Sequence, residues 1–150
     1  MPIKLCALFT GAVFLFFGIS GCFPSLVSLP PDRMRFFEMH MIGHLGFVYA
    51  WMPVNIVHNV VYILLGASGV LSAPVRLTAT LYCRGLFFLT TMMAITGLLP
   101  FGIAQLWGLM PLFGFNIMVH VVLAVLLYYY GFIYPLDEGG AEPSLAVEST

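Results

Sequence analysis

Four near-continuous apolar runs, at about residues 5–23, 53–71, 86–105 and 116–134, limit what this chain can fold into. Each approaches the ~20 residues an α-helix needs to cross a hydrocarbon core about 30 Å thick. A backbone in lipid must satisfy its own N–H and C=O groups, and a helix does so within one segment. The composition is 61% hydrophobic and 7% charged, against roughly 45–50% and 25% in soluble domains. No Asp or Glu occurs between Glu38 and Asp137. The expected class is therefore all-α: a four-span transmembrane bundle over residues 1–134. An acidic tail with Gly, Pro and Ser, residues 135–150, is expected to be disordered. A net charge of −1 offers no basic footprint for nucleic acid. Lipid is the first expected partner.

Prolines punctuate the runs. Pro24 and Pro30-Pro31 close the first, Pro53 sits in the first turn of the second, and Ser72-Ala73-Pro74 stops it. Arg76 and Arg84 flank a linker before the third helix, whose end Pro100 kinks or unwinds. Residues 39–51 read as an interfacial helix or pre-membrane turn with Tyr49 and Trp51 at headgroup level. Residues 102–115 form a tight apolar loop carrying Trp107, and Tyr128, Tyr129, Tyr130 and Tyr134 close the fourth helix as an aromatic belt. Gly11, Gly18 and Gly21 fall near one side of the first helix, where small residues permit close helix approach. Four spans put both termini on one side. Lys4, Arg76 and Arg84 against Arg33 and Arg35 then predict cytoplasmic termini by the positive-inside rule.

Polar residues inside a membrane segment are costly and call for a reason. Asn55, His58 and Tyr62 share one face of the second helix, because residues three and four apart are neighbours there. Asn116 and His120 open the fourth helix in the same way. The pattern of helix, Leu-Pro, apolar loop, Trp, Pro, Asn, His, helix occurs twice, so the bundle is expected to be two degenerate helical hairpins. The second and fourth helices are then parallel, and the two Asn/His pairs are expected to form one site between them, on the half away from the termini. As buried imidazoles, both histidines are expected to be neutral.

Several chemistries compete for these residues. Interhelical polar glue is the plain reading, at about 1 kcal/mol per bond. A b-haem, chlorin or quinone contact is the rival, since two imidazoles on parallel helices supply two axial ligands. A proton relay is the third. His40 and His44, spaced i, i+4, present two nitrogens to a metal only if their segment is helical. Ile19-Ser20-Gly21-Cys22 looks like a bacterial lipobox, but one n-region Lys and three following spans favour a retained first helix. Cys6, Cys22 and Cys83 have no zinc-finger spacing and read as apolar fillers. Gly66-Ala67-Ser68-Gly69 is similar to the nucleophile motif of intramembrane rhomboid proteases. Ser68 is about 15 Å along the helix from His58 at ~1.5 Å per residue, too far for base activation. Without a carboxylate inside the spans, autonomous proton- or cation-coupled transport is not expected.

Taken together, Pro53-Val-Asn-Ile-Val-His-Asn59, Leu65-Gly66, Tyr82-Cys-Arg-Gly85, Gly97-Leu-Leu-Pro100 and Leu109-Met-Pro-Leu-Phe-Gly-Phe-Asn-Ile-Met-Val-His120 resemble a bacterial domain-of-unknown-function family. Its members are small four-helix membrane proteins, found for example in cyanobacteria and actinobacteria. The resemblance implies a bacterial inner or thylakoid membrane and gives no activity. Members often carry His-Asn-x-x-His where this chain has Tyr62, and Asn-Asp where it has Asn116-Ile117. Both departures count against a metal on this face. The expected function is a non-enzymatic accessory or scaffold protein packing against larger membrane complexes or itself, with His58 and His120 as a cofactor-binding pair the alternative.

Overall fold

The computed structural model describes residues 2–34, 41–99 and 106–134. Four helices dominate: α1 (Pro2–Ser20), α2 (Ile56–Ser72), α3 (Arg76–Gly97) and α4 (Phe115–Tyr128), the last running on through a π-turn, Tyr129–Ile133. α1, α3 and the segment Phe115–Ile133 are long and apolar enough to cross a membrane, and α2 is a shorter apolar helix. The all-α expectation holds with one addition. A small antiparallel sheet of β1 (Val27–Ser28), β2 (Gly46–Val48) and β3 (Met52–Val54) fills the α1–α2 connection.

Of the two readings of residues 39–51, that sheet rules out the interfacial helix over the described residues 41–51 and leaves a turn. Val48 pairs with Met52 and Gly46 with Val54, and Tyr49 and Ala50 turn the hairpin with positive φ of 52° and 66°. Two non-glycine residues in the left-handed region carry strain. Neighbours hold the turn: the Tyr49 ring stacks on Phe16, and its hydroxyl meets Ser20 at 3.3 Å. Pro53 is correspondingly not in a helical first turn but in β3, an edge strand where its missing N–H is tolerated.

The third helix also starts ten residues earlier than expected, at Arg76 rather than residue 86. Pro74 and Val75 suffice for the turn. Thr78 and Thr80 return their hydroxyls to Val75 and Arg76 carbonyls, so polar residues remain compatible with helix. Ser68 and Thr96 do the same with Leu65 and Met92, which satisfies hydroxyls on outer faces without water. The expected helix end over residues 100–105, Pro100, His40 and the tail 135–150 lie outside the described residues.

Two tight hairpins build the bundle: α1 packs along α2, and α3 along α4, with α1 also against α3. Glycine explains the first pair. A Cβ on Gly11 would meet Val70 N at 2.8 Å and Gly66 O at 2.9 Å, and one on Gly66 would meet Leu15 N at 2.5 Å. Gly18 sits equally close to the α2 backbone at Ile63. A Cβ on Gly69 would meet the Tyr82 hydroxyl at 2.5 Å and Gly11 Cα at 2.8 Å. The three glycines identified from sequence thus lie along the α2 contact, Gly11 against Gly66 and Gly69, Gly18 against Asn59 and Ile63, and Gly21, just past the end of α1, against the Asn59 side chain. Cys6 and Cys83 are buried free thiols in the core.

The chain runs up and down four times, so the bundle has two ends. The sheet, Trp51, Trp107 and the α3–α4 loop lie at one, the sheet end. The start of α1, the α2–α3 turn and the π-turn lie at the other. Arg84 is there, donating from Nε to Gly131 O at 2.8 Å and sitting 5.2 Å over the Phe132 ring.

Candidate functional site

Asn55 is not inside α2 but caps it. Its backbone is extended (φ −141°, ψ 178°), and its Oδ1 accepts the His58 N–H at 2.8 Å. The rest of the amide joins the α3–α4 loop to the α1–α2 connection. Nδ2 donates to Leu109 O at 2.9 Å in the α3–α4 loop, and to Ile42 O at 3.2 Å. Ile42 N in turn donates to Gly108 O at 2.7 Å.

Asn116 mirrors this. It lies in the first turn of α4, which follows Gly114 at φ +60°. Its Nδ2 donates back to Pro111 O at 2.7 Å and across to Pro53 O at 2.9 Å in β3. Each asparagine therefore binds a carbonyl of the other hairpin. Proline N–H groups are absent at both 53 and 111, and their carbonyls become acceptors for the amide. The edge of Phe115 against Trp51, centroids 4.4 Å apart, packs beside this exchange.

Below it lies an aromatic core. His58, Tyr62 and His120 are all fully buried. The His58 ring packs on Tyr62 with centroids 3.9 Å apart, and Phe14 of α1 meets the same tyrosine edge-on at 4.7 Å. His120 Nδ1 is 2.6 Å from Asn116 O. A carbonyl only accepts, so the ring proton sits on Nδ1 and Nε2 offers its lone pair. The Tyr62 hydroxyl lies 3.5 Å from that Nε2, at the long limit of a hydrogen bond. Tyr62 is thus the bridge between helices α2 and α4, which approach each other here through side chains.

All five residues singled out from sequence, Asn55, His58, Tyr62, Asn116 and His120, come together at the sheet-end half of the bundle. A family model for a domain of unknown function (DUF4383) matches residues 4–133, from the first turn of α1 to the end of the π-turn. This chain belongs to the DUF4383 family. No curated protein and no solved structure matches it. The family match spans both hairpins, so the two-fold Asn exchange lies wholly within the DUF4383 domain.

Three features of the site were not read from sequence. Asn59 is buried beside Gly21, and its Oδ1 has no hydrogen-bond partner among the described residues. Its place next to His58 in an apolar helix was the available signal. Among the described residues, neither ring nitrogen of His58 has a hydrogen-bond partner, nor has Asn116 Oδ1. A buried polar group left unpaired costs on the order of 1–3 kcal/mol. His44 and the remaining described His, Cys, Asp and Glu residues form no group of three that could hold a metal ion.

Proposed function

We propose that this DUF4383 protein is a non-catalytic accessory or scaffold protein of a bacterial membrane, crossing it four times and packing against larger membrane partners. The reciprocal exchange carries this reading: Asn55 holds Leu109 O while Asn116 holds Pro53 O. Two polar groups that a membrane segment can ill accommodate are used to lock one hairpin onto the other. His120 and Tyr62 are engaged in the same way. Outer faces carry large apolar side chains such as Leu64, Phe88, Met118 and Val125, suited to lipid or to a partner's helices.

One observation favours the rival reading, in which the site holds a cofactor: among the described residues, nothing partners either ring nitrogen of the fully buried His58. A haem ligated by both imidazoles does not fit this arrangement. Tyr62 packs on the His58 ring and its hydroxyl reaches His120 Nε2, so a side chain joins the two imidazoles that would have to hold the group. His120 Nδ1 is already engaged by the Asn116 carbonyl. Protein purified from native membranes in mild detergent is expected to show no visible absorption band and to retain a larger membrane protein. A Soret or chlorin band that disappears in His120→Ala would overturn the scaffold reading.

We also infer that the termini face the cytoplasm. Lys4, Arg76 and Arg84 gather at the terminal end of the bundle, which supports this side under the positive-inside rule. Labelling of single cysteines is expected to find residue 150 protected in sealed right-side-out cells and His44→Cys reactive. The reverse pattern would refute the orientation.

A further inference from the structure

α4 packs on α3 and approaches α1 chiefly at the π-turn. A groove of about 860 Å³ opens between the start of α1, the end of α2 and the end of α4. That volume falls in the ~300–1,000 Å³ range of small-molecule sites. Its walls are apolar, formed by Leu5, Leu8 and Phe9 on one side and Leu126 on the other, with Lys4 and Tyr130 among the lining residues. We propose that this groove holds one anionic phospholipid, its acyl chains along Leu5, Leu8, Phe9 and Leu126 and its phosphate at Lys4.

Charge and depth select this occupant. Lys4 is exposed in the first turn of α1. Asp32 is the sole carboxylate among the described residues, and it lies in the α1–α2 connection at the other end. Tyr130 lines the groove together with Lys4, and aromatic rings of this kind sit at the headgroup boundary. A lysine there extends its ammonium toward the interface while its stem stays in apolar surroundings. A partner helix filling the groove would have to supply an anionic group of its own at the level of Lys4. A phospholipid carries its phosphate at that level already.

The test uses the full chain, exchanged into an equimolar mixture of phosphatidylglycerol and phosphatidylcholine and examined by native mass spectrometry. Wild-type protein is expected to keep one lipid, with phosphatidylglycerol favoured. Lys4→Gln should keep a lipid but lose about fivefold of that preference, the size of one basic residue at an anionic headgroup. Leu126→Trp fills the groove and should retain neither lipid, while Val125→Trp, on the exposed outer face of α4, should behave as wild type. The proposal is overturned if Lys4→Gln leaves the preference unchanged. Equal retention by the two tryptophan variants, or a second copy of the chain bound in place of lipid, would overturn it too.

Discussion

Gly66→Leu is expected to separate α1 from α2 and destabilise the protein by about 3 kcal/mol or more, the upper range for overpacked cores. The first added carbon already has no room, with Leu15 N at 2.5 Å and Gly11 O at 2.7 Å. These are backbone atoms of a helix, so no side chain can rotate away. The helices must move apart along the whole line that Gly11, Gly18, Gly66 and Gly69 share. Phe14 would then leave Tyr62, coupling the damage to the polar site. Gly69→Leu should act in the same direction, since Gly11 Cα and the Tyr82 hydroxyl stand in its way. Gly85 is the control: nothing lies within 4 Å of its added Cβ, so Gly85→Leu should leave stability close to wild type. Thermal unfolding in detergent, followed by circular dichroism, reads all three. A Gly66→Leu protein as stable as Gly85→Leu would refute the packing described.

Asn116→Leu is expected to cost about 2–4 kcal/mol, because two carbonyls lose their donor in a place water does not reach. Leucine is close to asparagine in size, so the change removes hydrogen bonds with little change in volume. Pro53 O and Pro111 O are the acceptors left behind, one in each hairpin. The His120 ring depends on the Asn116 backbone carbonyl, not on its side chain, and keeps that bond. The variant should therefore loosen the sheet end while α3 and α4 stay paired. Hydrogen exchange is expected to rise at β2–β3 and the α2 N-terminus and to change little at Arg84 and the π-turn. Uniform protection throughout, with unchanged stability, would contradict the clasp.

The helices were legible because lipid-facing runs are long and apolar, and the double Asn/His spacing drew attention to the right face. The ends were less legible. Pro53 suits both a helical first turn and an edge strand, and the latter prevails because the apolar run before it pairs as β2–β3. That run, with Phe47, Val48, Tyr49 and Trp51, is as apolar as its surroundings, so hydropathy does not separate short strands from a helix. Arg76 to Arg84, expected as a linker, carries two arginines and two threonines in an otherwise apolar region. Threonine hydroxyls satisfied within their own turn, and an arginine bonded to Gly131 O, make it compatible with a helix. The site's residues were visible, and their connections were not. Asn55 reaches Leu109 O, and Asn116 reaches Pro53 O, only because the folded hairpins bring those backbone groups near. Carbonyls carry no sequence signature.

The central claim is that the two halves of the chain share one polar core, with Tyr62 joining His58 to His120. A double-mutant cycle on His58→Leu and His120→Leu measures this most directly. The two rings lie on helices that belong to different hairpins, and each contacts Tyr62. The stability of the double variant is expected to differ from the sum of the single changes by about 1 kcal/mol, as for residues in one network. A double variant whose cost equals the plain sum, within about 0.3 kcal/mol, would mean that the histidines occupy independent sites.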